Sequence, residues 1–465
     1  MTTRKLAATF GGAAVLGHLS QFAWLGLGSR TMSTEAFGTV LAAQALYGFL
    51  QVVIDAGPGF YGARLAASRG LDALTRGSIV RLRLQLALVA AGVALAVGAA
   101  ADARSLEATA PFAVALVLFG ALNYWEAFGL GNARPWSAYV VLRSLAPAGA
   151  ALTLFLLGRS FPLVLAGIAE CGVIVVVSLA FRLSARTGIS RAFSAPRGPW
   201  RSVTRIGLPV VIGQMGLACG TILLNATGAA AAAAAFAVSV RLLTGINQLA
   251  GVLATALFPR LAGAEASEDV EGHGVEMGVR ALVVVTFGAT AVLMFRPRFV
   301  TSLLLGHAGD AAQAAAVLTL ATSCATGFVV LFTLVLLARN GEDVFLRVYV
   351  AATTVILGGG IVVVLVSPAP RALAMASVFA VGQLVGMFLL ARHALVSLPN
   401  RKRAVRHGAI AALVLVAVGF LAATTPGVRG SASVVTAVTA LVVASAAVTR
   451  RRLGAPATDS ARPGF

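Results

Sequence analysis

The chain has 465 residues, 59% of them apolar and 11% charged, with a mean hydropathy of +0.92. Soluble domains run at about 45–50% apolar and about a quarter charged, so this composition cannot build a water-soluble surface. The net charge of +20 comes from 36 Lys and Arg against 16 Asp and Glu. These cations sit between long apolar runs rather than on one basic face, which excludes a nucleic-acid partner and predicts an all-α polytopic membrane protein.

A membrane-crossing helix takes about 20 mostly apolar residues, and about 14 such stretches follow one another here. In chain order they are 8–28, 36–58, 79–100, 108–130, 136–157, 161–183, 203–224, 228–257, 278–297, 314–338, 344–366, 370–393, 406–424 and 431–449. Arg4 and Lys5 precede the first stretch as they would in a signal peptide, but that run is long enough to span. It is expected as an uncleaved first helix. Turns at Arg159–Pro162 and at Pro368–Arg371 separate neighbouring spans, and Pro147, Pro209 and Gly358–Gly360 mark expected kinks. Cys171, Cys219 and Cys324 each lie within an apolar run and are expected as buried thiols, with no metal-ligand spacing.

Orientation follows from Lys and Arg. With the N-terminus in the cytoplasm, 27 of the 36 cations fall on cytoplasmic loops and helix ends and 7 fall outside. The remaining 2, Arg143 and Arg241, lie inside spans. This predicts a multi-pass protein of the cytoplasmic (inner) membrane with both termini inside. The loops, the longest near 59–78, 184–202, 258–277 and 394–405, are too short for a soluble catalytic domain, so no enzyme, cofactor or metal site is expected.

An internal repeat divides the chain. Ala36-Phe37 matches Ala235-Phe236, Arg64-Leu65-Ala66 matches Arg260-Leu261-Ala262, and Asn132 matches Asn340, at offsets of 199, 196 and 208. The expected plan is a six-helix lobe over 1–183, a cytoplasmic linker 184–202, a second six-helix lobe over 203–393, two further helices over 394–449, and a disordered tail 450–465. Six spans per lobe give both the same orientation, related by a pseudo-twofold axis along the membrane normal.

The stretch from Phe37-Gly38 through Asp55-Ala56-Gly57 to Arg64-Leu65-Ala66 resembles the second helix of the polysaccharide transporter family. Ala235-Phe236 through Arg241-Leu242 to Phe258-Pro259-Arg260-Leu261-Ala262 resembles its eighth helix. Leu303-Leu304-Leu305-Gly306, followed by an Ala-rich helix from Ala311, resembles the segment before its tenth. These are the Wzx-type flippases of the multidrug/oligosaccharidyl-lipid/polysaccharide exporter superfamily. The resemblance covers 8 to about 450 through order and spacing; the family's Gly-x-Tyr early in helix eight is replaced by Ala229–Ala235. It implies translocation of a polyprenyl-diphosphate-linked oligosaccharide by alternating access, with coupling to H+ or Na+ and a central, often cationic cavity. It also implies contact with membrane lipids and with the glycan polymerase machinery.

Ionisable groups at membrane depth are costly and face a cavity or a partner. Arg143, about 12 Å into its span at 1.5 Å per residue, and Arg241, near the middle of span eight, are candidates to meet a diphosphate, whose oxygens match guanidinium forks. The rival role is a structural ion pair. Glu170, the deepest carboxylate, is a candidate proton carrier or a partner for Arg143. Asp55 and Glu126, near the cytoplasmic ends of their spans, are gating or helix-end residues within reach of Arg64 or Arg134. His18, Gln21, Gln44, Gln51, Gln214, Asn247 and Gln248 add hydrogen-bonding capacity on the spans that line the cavity in the resembled family; the alternative is interhelical bonding.

Three rivals remain. A drug/cation antiporter of the same superfamily usually carries an acidic residue in helix one, where this chain has none. A flippase for lipid-linked peptidoglycan precursor shares the expected fold. A membrane-embedded glycosyltransferase needs a large external loop, and the longest here, near 298–313, is short.

Overall fold

The computed structural model describes residues 3–68, 73–129, 132, 134–181, 200–262, 283–284, 286–291, 296–306, 309–338, 342–366, 371–397 and 402–425. Residues 184–199 of the expected linker, the last span 431–449 and the tail lie outside these, as does half of span 278–297, while 200–202 open a helix. The first part of the chain forms α1 (Thr3–Thr31), α2 (Thr34–Asp55), α3 (Pro58–Ser68), α4 (Ala73–Ala101), α5 (Ala103–Ala121), α6 (Tyr124–Gly129), α7 (Arg134–Leu156) and α8 (Leu165–Ala180). The second part forms α9 (Trp200–Ala226), α10 (Ala230–Ala262), α11 (Pro297–Leu305), α12 (Asp310–Ala321), α13 (Ser323–Ala338), α14 (Glu342–Val366), α15 (Arg371–Ser397) and α16 (Lys402–Thr424). Among the described residues nine helices are long and apolar enough to cross a membrane, and none forms a strand. The protein is an all-α polytopic membrane protein.

Local chemistry sets the helix ends. The Ser33 hydroxyl accepts from the Ala36 amide at 3.2 Å at the start of α2, and the Asp102 carboxylate accepts from Ser105 N at 2.6 Å at the start of α5. Gly306, with φ +72°, closes α11 in the left-handed region open to glycine.

The breaks fall where side chains take backbone carbonyls. The expected span 108–130 divides at Leu122-Asn123, because Arg83 donates to the carbonyls of Phe119, Leu122 and Gly120 at 3.1, 3.2 and 3.4 Å. The expected span 314–338 divides at Thr322, whose hydroxyl and amide both donate to the Thr319 carbonyl. By contrast α7 runs through Pro147, α9 through Pro209 and α14 through Gly358–Gly360 without interruption. Two of those glycines serve packing: a Cβ at Gly359 would lie 2.6 Å from Val378 on α15, and one at Gly360 would lie 3.2 Å from Leu223 on α9.

α2 is central, packed against α5 on one side and against α9 and α10 on the other. Among the described apolar stretches the most enclosed runs from α12 into α13, 94% buried against 28% in that of α4. The outer faces of α4 (Leu88, Val89, Val93) and α14 (Ile361, Val362, Leu365) are exposed apolar surfaces of the kind lipid covers.

α2 also meets the second half of the chain closely at each of its ends. Near its start, a Cβ on Gly38 would collide with the backbone of Ala230, the first residue of α10. Just past its end, a Cβ on Gly207 of α9 would lie 2.7 Å from the Gly57 amide nitrogen, and one on Gly57 would lie 2.7 Å from the Val203 carbonyl. The space between the helices is pinched at both ends by backbone contacts that only glycine allows.

Candidate functional site

Between those two pinches lies a cavity of about 210 Å³, walled by α1, α2, α5, α7, α8, α9 and α10. Helical spacing brings its polar residues to one face: Gln21 and Trp24 on α1, Gln44 and Tyr47 on α2, and Arg241 and Thr244 on α10 are each three apart. Arg143, Glu170 and Gln214 complete the polar wall. Arg143, Glu170 and Arg241 are the charged residues of this lining, which carries a net single positive charge when all are ionised.

Behind the α7–α8 wall sits a buried network. The Tyr47 and Tyr139 hydroxyls both donate to Glu170 Oε1, at 2.8 and 2.6 Å. Gln51 Nε2 donates to both tyrosine oxygens, at 2.8 Å to Tyr47, and Gln51 Oε1 accepts from Arg143 Nη1 at 2.9 Å. Arg143 Nε stands 3.9 Å from Glu170 Oε1, and its guanidinium lies over the Tyr47 and Tyr139 rings at 5.8 and 5.5 Å. Glu170 is buried, whereas 31% of the Arg143 side chain stays exposed to the cavity.

Arg241 is held differently. Its Nη2 donates to Gln44 Oε1 at 2.6 Å, and that oxygen also accepts from Trp24 Nε1 at 3.3 Å. Its Nη1 is buried, with no hydrogen-bond partner among the described residues. A buried charged donor without an acceptor is expensive.

The remaining candidates lie elsewhere. His18 is half-buried beside Phe22, with ring centroids 6.5 Å apart, and Asn247 is buried with neither amide atom bonded among the described residues. Neither lines the cavity; the Gln248 side chain is outside the described residues. Asp55 pairs with Arg83 and accepts from the Tyr124 hydroxyl, and Glu126 pairs with Arg76 at 2.6 Å. These partners are other than the expected Arg134, and the Arg64 side chain is outside the described residues: α4 packs against α2 and α3, which brings Arg76 and Arg83 alongside these carboxylates. Arg83, one of the 27 cations counted on cytoplasmic loops and helix ends, is fully buried.

Sequence reasoning passed over Tyr47, Tyr139 and Arg83. The signal was present as a tyrosine four residues before a polar side chain on one helix face, Tyr47 with Gln51 and Tyr139 with Arg143. The three thiols are unpaired, and Cys171 bonds the Pro111 carbonyl at 3.4 Å.

No protein-family profile and no curated protein sequence matches the chain. Solved structures do. The lipid II flippase MurJ, in an inward closed conformation, superimposes with TM-score 0.66 at 8% identity, covering 97% of this chain and 100% of that one. An inward-facing multidrug resistance MATE family transporter of the MOP superfamily gives 0.62 at 17% identity, covering 86% and 99%. A Pyrococcus furiosus MOP superfamily transporter, described as having a binding pocket of reverse polarity, gives 0.51 at 16%, covering 90% and 96%. The polypeptide therefore has the fold of the MOP-superfamily transporters.

Proposed function

We propose that this protein translocates a polyprenyl-diphosphate-linked oligosaccharide across the cytoplasmic membrane by alternating access, coupled to H+ or Na+, in surface polysaccharide biosynthesis. The observation that carries the reading is Arg241, an arginine of the cavity lining whose buried Nη1 has no hydrogen-bond partner among the described residues. A phosphate oxygen is the acceptor that this donor lacks. Around it Gln21, Gln44 and Gln214 offer side-chain amides of the kind that hold sugar hydroxyls. The proposal includes the two-lobe division at 1–183 and 203–393, cytoplasmic termini, and the helix pairing α2 with α10 across the lobes. It also includes contact with the glycan polymerase machinery and with anionic lipid headgroups at the basic loops.

Two readings within the superfamily compete. A flippase for lipid-linked peptidoglycan precursor shares the diphosphate, and the likeness to a lipid II flippase favours it. A drug/cation antiporter is disfavoured because an organic cation would meet Arg143 and Arg241 in the same wall. Deleting the gene separates them: lipid-linked glycan should accumulate on the inner leaflet and surface polysaccharide should fall. Unchanged surface polysaccharide with altered drug sensitivity overturns the proposal.

A further inference from the structure

The three charges of the cavity are not equivalent. Arg241 is offset by no carboxylate at the cavity wall, whereas Arg143 faces Glu170 at 3.9 Å. Glu170 Oε1 gathers the Tyr47 hydroxyl, the Tyr139 hydroxyl and the Arg143 guanidinium around one oxygen. While Glu170 is charged, Arg143 is drawn toward it and away from the open side of the wall. When Glu170 carries a proton, that attraction is lost. Arg143 then keeps the Gln51 oxygen and two ring faces, its exposed side is free for an anion, and the cavity charge rises by one.

We propose that proton binding at Glu170 and anion binding in the cavity are positively linked through Arg143, so that proton and anionic headgroup are taken up together and released together. This rests on the anionic-substrate reading and adds the sign of the coupling, which for a cationic substrate would be the reverse. The groups facing Glu170 are few. Tyr47 and Gln51 come from α2, and Tyr139 and Arg143 come from α7. On α5, Pro111 and Phe112 oppose α8 without a titratable group, and Cys171, next along α8, is turned onto the Pro111 carbonyl. Arg241 faces the same cavity from α10. Asp55 and Arg83 are outside this lining and paired with each other. A single carboxylate therefore decides whether Arg143 is neutralised.

The test uses the purified full chain in lipid nanodiscs, with farnesyl diphosphate as probe, titrated calorimetrically at about pH 5.5 and about pH 8. Glu170→Gln keeps the shape without the proton, so dividing its pH profile out removes the probe's own titration. The wild type should then bind about tenfold more tightly at the lower pH, and Glu170→Gln should match the low-pH wild type at both. A second readout counts protons: in buffers of different ionisation heat, wild-type binding should take up as many as about one proton more than Glu170→Gln binding, by the reciprocity of linkage. Identical pH profiles for the two proteins, or proton release by the wild type relative to Glu170→Gln, overturn the proposal while leaving the anion reading standing. No binding at either pH, or Arg241→Ala binding as tightly as wild type, overturns both.

Discussion

Arg143 Nε lies 3.9 Å from Glu170 Oε1, and the two tyrosine hydroxyls that donate to that same oxygen, Tyr47 and Tyr139, also present their rings to the arginine. Charge, hydrogen bonds and ring faces are thus shared among four residues on three helices. Removing one should affect the others. Tyr47→Phe and Tyr139→Phe should each cost about 1 kcal/mol of stability, and the double variant should lose more than the sum. Thermal unfolding in detergent, read as a double-mutant cycle, measures the coupling; strict additivity would mean that the hydroxyls act independently.

Arg241 carries the proposed contact to substrate. Arg241→Ala should abolish translocation while surface expression stays normal, and Arg241→Lys should restore only part of it, because an ammonium cannot occupy Gln44 and a phosphate in the same forked geometry. Complementation of the deletion strain together with quantitative blotting reads both.

The pinches at the two ends of α2 make opposite predictions for access. Gly38→Ala should force α10 away at Ala230 and open that end alone, whereas Gly207→Ala should open the end at Gly57. A reporter cysteine in place of Thr221, in a background lacking the three native thiols, should label from opposite faces of the membrane in the two variants. Labelling from the same face in both would show that the contacts do not act as separate closures.

Arg83 holds the α5–α6 break and the end of α2 together, because it meets Asp55 and three carbonyls while fully buried. Arg83→Ala should destabilise the protein by about 3–5 kcal/mol, the usual cost of leaving a charge partner unpaired inside a protein. Arg76→Ala, which breaks the more exposed pair with Glu126, should cost about 1 kcal/mol or less. Detergent-solubilised unfolding curves compare them.

His18→Ala is expected to leave translocation within about twofold of wild type, since the ring packs on Phe22 outside the cavity. A loss comparable to that of Arg241→Ala would place His18 in the transport path.

The helices were legible because membrane depth imposes a length and an apolar composition that survive without knowledge of neighbours. Arg143, Arg241, Gln21, Gln44 and Glu170 were legible as candidates for the same reason: a polar group in an apolar run needs an explanation. Their shared cavity was not. Whether Gln44 and Arg241, 197 positions apart, face each other depends on how α2 and α10 rotate against one another. The partners Arg83 and Arg76 of Asp55 and Glu126 were not legible for a related reason. Proximity in sequence favoured Arg64 and Arg134, while helix packing delivered Arg83 and Arg76.

The sequence by itself determined that the chain is a bundle of apolar helices with a cationic excess and a few charges at membrane depth, because the bilayer acts on each segment separately. The tertiary structure alone decided which charges neutralise one another and which does not. Pairing is a property of distances of a few ångströms between helices. It left Arg143 answered by Glu170 and Arg241 Nη1 facing the cavity wall with no acceptor among the described residues.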